Sequence, residues 1–468
     1  MRRREFLAAL SSPAFAASKS FDPDFGTALE AAAAVAQRKI SPAELAAHTL
    51  ARIAKLDPKI NSICWKFPAP TAAPPPAPTK APLAGVPINV KESFGVAGSP
   101  STFGLAEHKD YRSKTTATAV ARLEQAGAWV AAKTNVPERL ADWQSENPIY
   151  GRTSNPWDPN LTAGGSSGGS AAALAAGFGF LSMGSDIGGS IRVPAHFCGV
   201  YGHKPTLDLV PRTGHAAGPA SDRPAVLSSG LSVVGPMARS ARDLALAMKI
   251  VAGPDGDDAV AYKVALPPPR RAKLAEFRVG YLVEDRLCPL LPEVAAVVDQ
   301  ALARLGKAGV SMKKGLPPGL DAQFSRMTYV NLLAAAMNLE GGEKLPFDQW
   351  RNHTTGRLQI RKIWQDAFRE IDVFLMPVAF APAFPHDPNP NQAERRIGNR
   401  RFMDLQHWQH FPVVSGHPST AVPIGRTASG LPVGLQVIGP YLEDLTPIEF
   451  AALMEPVCGG FEKPPLFS

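Results

Sequence analysis

Apolar residues along this chain recur at helical spacing and then at strand spacing, in alternation. Ala28–Gln37 reads as a helix. Ser41 then caps a second one, with Pro42 at its first position and Glu44 completing a capping box, and Asp57-Pro58 stops it. Ile88–Val90 is a short buried strand that delivers Lys91 at its end. Thr118–Gly127 is an amphipathic helix ending in a glycine, Trp129–Lys133 is a strand, and Thr134–Glu138 starts a further helix. This alternation predicts an α/β sheet. Strands are also expected at Phe277–Leu282, Ile371–Pro377, Val413–Pro423 and Val433–Val437, the last two joined by the Ala428-Ser429-Gly430 turn. Gly202–Thr206 reads as a turn. Gly235–Ser240 is expected to open a helix over Ala241–Val251, and Pro292–Ala308 is another. The polar stretch Asn389–Arg401 is expected at the surface, and residues 255–346 hold the fewest motifs.

Composition narrows this little. A chain of 468 residues can bury a large core, and 45% hydrophobic with 19% charged residues is ordinary for a globular protein. Forty glycines and 46 prolines mean many loops, including the proline-rich connector Thr71–Pro82. The net charge of +8 comes without a basic block, so nucleic-acid binding is not indicated. Cys64, Cys198, Cys288 and Cys458 are far apart and read as single thiols, and no metal site is expected. His407 and His410 share one possible helix face, but without H-E-x-x-H they read as surface residues. Beyond the N-terminus, no stretch approaches the ~18 apolar residues that span a bilayer. Met1–Ala17 begins with Arg3-Arg4-Glu5-Phe6-Leu7, like a twin-arginine export signal, and carries Ala14-Phe15-Ala16 as a cleavage pattern. Its apolar part is short and broken. The protein is expected to be periplasmic or secreted if this signal functions, and cytoplasmic if the segment is a plain N-terminus.

The chemistry concentrates in Gly164–Pro194. Two clusters of small residues, Gly164–Ser170 and Gly188–Ser190, flank the alanine run Ala171–Ala176, and glycine admits close backbone approach to a ligand. A flexible linker does not fit, because Leu174, Phe178, Phe180, Leu181, Met183, Ile187 and Ile191 need burial. A phosphate loop would need a Gly-Lys-Ser/Thr ending, and the stretch has no lysine. Gly164–Gly168 does fit the G-x-S-x-G elbow, which would make Ser166 the nucleophile of an α/β-hydrolase-type esterase. Lys91 alone reads as a surface lysine paired with Glu92.

Gly165-Ser166-Ser167-Gly168-Gly169, followed by Gly184-x-Asp186-x-Gly188-Gly189-Ser190-Ile191-Arg192-x-Pro194, with Lys91 upstream, resembles the amidase signature family. The resemblance extends through Lys133-Thr134-Asn135, Asn155-Pro156-Trp157-Asp158, Lys204-Pro205-Thr206, Gly235-Pro236-Met237 and Gly416-His417-Pro418. It covers most of residues 25–455 and is thinnest over 255–400. Glu92 stands where the family usually has aspartate. The resemblance implies one α/β/α sandwich around a large mixed sheet, occupying about 25–460.

It also implies a Ser-Ser-Lys triad, with Ser190 as nucleophile, Ser166 as bridging serine and Lys91 as base. Burial can lower a lysine pKa from roughly 10.4 by several units, so a neutral Lys91 is chemically reasonable. Backbone N–H groups of Ile187, Gly188, Gly189 and Ser190 are the expected oxyanion donors. Asp186 and Arg192 are expected to brace the loop. Trp143 and Gln144, with Ile149 and Tyr150, are candidate pocket residues, with core packing the competing reading for the aromatic pair. The implied activity is hydrolysis of a carboxylic amide to an acid plus ammonia or an amine, with no cofactor, a small-molecule amide as partner and a homodimer as candidate assembly. The alternative within the family is the amidase (glutaminase) subunit of a tRNA-dependent amidotransferase. A binding protein that has lost catalysis is a third reading, disfavoured by retention of all three triad positions.

Overall fold

The computed structural model describes residues 21–69, 81–224, 230–337 and 345–468. The export-like segment 1–17 and residues 71–80 of the proline-rich connector lie outside them. An 11-stranded mixed sheet carries the architecture. Its strands in chain order are β1 (Ile63–Lys66), β2 (Pro87–Lys91), β3 (Trp129–Thr134), β4 (Leu181–Asp186), β5 (Tyr201–Lys204), β6 (Val233–Ala238), β7 (Arg278–Tyr281), β8 (Ser311–Lys314), β9 (Val373–Pro377), β10 (Ser419–Arg426) and β11 (Pro432–Ile438). Their spatial order is β1-β3-β2-β4-β6-β5-β10-β11-β9-β7-β8. β2 runs parallel to both β3 and β4, whereas β4 to β6, β5 to β10 and β10 to β11 are antiparallel.

Helices cover the sheet because its strands bury both faces. Ile88 and Val90 of β2 join one apolar cluster with Val433, Leu435 and Val437 of β11. A second cluster holds the alanines 171–176, Trp364 and Trp408. The helices are α1 (Ala28–Ala36), α2 (Pro42–Leu56), α3 (Thr118–Gln125), α4 (Gly168–Ala175), α5 (Arg192–Cys198), α6 (Ala241–Val251), α7 (Pro292–Lys307), α8 (Ala322–Met337), α9 (Phe347–Ala367), α10 (Gln406–Ser415) and α11 (Leu445–Cys458), with one further short turn of helix at Asp258–Ala261. At α2 the capping box forms as read: Glu44 N–H donates to Ser41 Oγ at 3.1 Å, and Ser41 N–H to Glu44 Oε2 at 2.8 Å. Among the described residues, no helix is long and apolar enough to cross a membrane.

Several expectations are corrected. Val413–Pro423 is not one strand. Its first residues finish α10, Gly416 at φ +76° ends that helix, and β10 begins at Ser419. An apolar run by itself does not distinguish a buried helix from a strand. Gly235 lies inside β6, and only Ser240 caps α6, its Oγ accepting from Arg242 N–H at 3.1 Å. Gly202–Lys204 belongs to β5 rather than to a turn. Thr134–Glu138 opens no α-helix. Pro137 biases the preceding residue away from helical backbone, and only the 3-10 turn Glu138–Leu140 follows. Within Asn389–Arg401, Arg395 and Ile397 are buried. His407 and His410 are buried too, on α10, with His407 Nε2 3.0 Å from Asp285 Oδ2.

Candidate active site

β2 ends on Lys91, and parallel partners on both sides hold its backbone inside the sheet, so the amine is fully buried. Nζ lies 2.6 Å from Ser166 Oγ and 2.9 Å from Ser185 Oγ. Burial drives its pKa down to about 7, against the opposing pull of the Asp186 charge. The surface pair with Glu92 does not form. The Glu92 carboxylate is itself buried and accepts the N–H groups of Thr102 (2.6 Å) and Phe103 (3.0 Å).

Ser166 enters through a cis Gly165–Ser166 peptide, just ahead of α4. Glycine is required at 165 by proximity, since a Cβ there would come within 2.3 Å of the Asp142 carbonyl oxygen. Ser167 N–H donates to the Ser190 carbonyl at 3.0 Å, tying the first small-residue cluster to the second.

The second cluster is organised by Asp186. Its carboxylate accepts N–H groups from Gly189 (2.9 Å) and Ile191 (3.1 Å), and Nε and Nη2 of Arg192 at 3.0 Å each. Arg192 Nη1 also donates to Gln436 Oε1 at 2.7 Å. Asp186 and Arg192 thus tie the loop Gly189–Ile191 to Gln436 of β11. The same contacts correct one expectation: the Gly189 N–H already serves Asp186 and is not free for an oxyanion. Among the described residues, the N–H groups of Ile187, Gly188 and Ser190 donate to no protein acceptor. Two carbonyls beside them are held, that of Gly188 by Trp143 Nε1 (3.0 Å) and that of Ile187 by the Tyr329 hydroxyl (3.3 Å).

Ser190, with Ile187 and Gly188, forms one wall of a cleft of about 200 Å³. Trp143 lines it, together with Leu140, Ala141, Asp142, Tyr329, Leu333, Met337, Gln392 and Gln406. Gln144 does not line it. Its side-chain amide exchanges two hydrogen bonds with the backbone of Asp387, at 2.9 and 2.8 Å, and anchors that loop instead. Ile149 and Tyr150 also lie outside the lining, the Tyr150 hydroxyl being 3.4 Å from Glu92 Oε1. Among the described residues, no hydrogen bond joins the hydroxyls of Ser166 and Ser190, and no group of three His, Cys, Asp or Glu could hold a metal. Sequence reasoning missed Ser185, although it sits inside Gly184-x-Asp186, and missed Tyr329 and Leu333, which lie in the stretch without motifs.

A family model described as Amidase matches residues 44–356 and 344–446. The chain is 33% identical over 468 residues to the A subunit of glutamyl-tRNA(Gln) amidotransferase of Thermus thermophilus, covering 89% of this chain and 93% of that one. It is 30% identical over 480 residues to an acylamidase of Rhodococcus erythropolis, covering 94% and 97%. A solved structure of the glutamyl-tRNA(Gln) amidotransferase A subunit from Thermotoga maritima matches with a TM-score of 0.79 at 25% identity, covering 95% of this chain and 98% of that one. The matches span nearly the whole sheet, and the class they define is that of enzymes acting on amide C–N bonds. The chain belongs to the amidase signature family.

Proposed function

We propose that the protein hydrolyses a carboxylic amide through an acyl ester on Ser190, with Ser166 relaying protons to and from Lys91. The observation that carries this reading is the buried Lys91 amine, 2.6 Å from Ser166 Oγ and with a pKa lowered to about 7. A serine hydroxyl needs a base to take its proton as it attacks, and a lysine whose neutral form is well populated near pH 7 can serve. Ser190 Oγ attacks the amide carbon while its proton passes through Ser166 to Lys91. The C–N bond then breaks as the relayed proton reaches the departing nitrogen, so ammonia or an amine leaves. Water cleaves the ester by the same relay and the acid departs. The free N–H groups of Ile187, Gly188 and Ser190 are the donors assigned to the oxyanion, and losing one such donor typically costs roughly 10²–10³-fold in rate.

The test is turnover of a panel of aryl amides by Ser190→Ala, Ser166→Ala and Lys91→Ala, with labelling of the wild type by a fluorophosphonate. Activity is expected to collapse in all three variants, and the label to map to Ser190. Full activity in the Ser190→Ala protein overturns the mechanism. The likeness to the amidotransferase A subunit of Thermus thermophilus supports a second reading, a glutaminase component of a larger assembly. Glutamine hydrolysis that emerges only when a partner protein is added would favour it.

A further inference from the structure

The cleft beside Ser190 indicates which amides enter it, an inference that rests on the acyl-ester reading above. Apart from Ser190, the backbone N–H groups beside it and the neutral amide of Gln406, its polar side chains are engaged already. The Trp143 indole N–H donates to the Gly188 carbonyl and the Tyr329 hydroxyl to that of Ile187, so both rings offer mainly carbon to the cleft. The Asp142 carboxylate is closed by Arg395 Nη1 at 2.5 Å and by the Gln144 N–H at 3.1 Å. Gln392 Nε2 donates to the Ala141 carbonyl at 2.7 Å. Leu333 and Met337 of α8 add apolar side chains to the lining. Among the described residues, no lysine, arginine or histidine lines the cleft.

We infer that this cleft selects the neutral, apolar acyl part of its amide substrate, about one ring in size, and excludes acyl groups that carry a charge. The volume is enough for one ring: an enclosed apolar cavity of about 150 Å³ holds benzene, and this open cleft measures about 200 Å³. Charge follows from desolvation. Glutamine would bring an ammonium and a carboxylate into a cleft where, among the described residues, the one ionic lining side chain, Asp142, is already paired, and neither would regain the hydration it loses. A phenyl or branched alkyl group instead removes apolar surface from water on both sides.

The test measures binding apart from turnover, by calorimetry with the Ser190→Ala protein. Phenylacetamide is expected to bind at least about tenfold more tightly than glutamine or succinamate, from the apolar area of one ring. Leu333 is half-buried and tolerates a polar replacement better than a core position would. Leu333→Lys in the same background is expected to weaken phenylacetamide about fivefold or more and to strengthen succinamate, whereas Leu333→Met keeps the order of the unmodified cleft. Glutamine or succinamate binding as tightly as phenylacetamide overturns the inference. Turnover that survives in Ser190→Ala overturns the nucleophile assignment alone, because the order of affinities is read independently.

Discussion

The carboxylate of Asp186 closes on the guanidinium of Arg192, with Nε and Nη2 each at 3.0 Å and both side chains wholly buried. A buried pair of this kind contributes little net stability compared with an apolar packing, yet breaking one side is costly. Asp186→Asn leaves the Arg192 charge without its partner and weakens the grip on the Gly189 and Ile191 N–H groups. The expected loss is about 3–5 kcal/mol, read as a lower midpoint in denaturant unfolding, accompanied by loss of activity. The pH dependence has a definite sign. Arg192 and the loop N–H groups hold the Asp186 pKa below its ordinary value despite burial. Its contribution is therefore complete above an unfolded pKa of about 3.9 and fades as pH falls through the lower folded value. Acid titration of stability in wild type against Asp186→Asn should show this component missing from the variant.

With Asp186 committed to Arg192, Lys91 has no carboxylate hydrogen-bond partner among the described residues, and the Asp186 charge offsets only part of the effect of burial. Its pKa of about 7 places the neutral amine within reach at ordinary pH. The expected profile of kcat/KM rises through pH 7 as Lys91 loses its proton, then levels off. Lys91→Arg keeps a charge that cannot be removed in this range, so it should be inactive throughout. A pH–rate profile that is flat between pH 6 and 9 would argue that another group sets the limb.

Ser185 supplies a gentler perturbation. Its hydroxyl, 2.9 Å from Lys91 Nζ, accepts from the ammonium form and so favours the proton. Ser185→Ala removes that acceptor but leaves Ser166 in place. A hydrogen bond to a charged group is worth about 1.5–3 kcal/mol, so the acid limb should move to lower pH by about one unit. The same variant should lose part of its kcat, because the amine is then positioned by one hydroxyl alone. A limb that stays put or moves upward would remove Ser185 from the account.

These relationships were unevenly legible in the sequence. The capping residues Ser41 and Glu44 and the periodic run that follows marked α2 at both ends, and Ile88–Val90 pointed to the strand carrying Lys91. Such local signals survive folding because the residues involved act on near neighbours. β4 gave no comparable sign. Its sequence LSMGSD sets only two apolar residues, Leu181 and Met183, among small and polar ones, too short a run to mark a strand, and it is a strand because β2 and β6 pair with it on either side. Ser185 was hidden for the same reason, since its value comes from Lys91, 94 residues away. Tyr329 and Leu333 are ordinary helix residues, and only the packing of α8 over Ser190 gives them a part in the cleft. Gly189 was misread in the opposite direction: the glycine pattern implied a free N–H, but the nearby Asp186 carboxylate takes it.

That engagement of Gly189 leads to the last prediction. The peptide between Gly188 and Gly189 is held at both ends, its carbonyl by Trp143 Nε1 at 3.0 Å and its N–H by Asp186 Oδ1 at 2.9 Å. The preceding peptide, between Ile187 and Gly188, is held at one end only: its carbonyl accepts from the Tyr329 hydroxyl at 3.3 Å, while the Gly188 N–H has no partner among the described residues. A peptide is planar, so fixing the carbonyl fixes the direction of the N–H opposite. Tyr329 thus acts as a positioning residue for the proposed Gly188 donor, whereas Trp143 holds the next peptide, whose N–H is already committed to Asp186. Tyr329→Phe removes one hydroxyl and little volume. It should lower kcat by about fivefold, since roughly 1 kcal/mol of orientation is lost, and change KM much less. Trp143→Phe should instead act mainly on KM, because the indole lines the cleft and the peptide it holds carries the N–H bound to Asp186. The split distinguishes orientation from packing: a Tyr329→Phe enzyme with unchanged kcat and a raised KM would make Tyr329 a wall of the cleft and nothing more.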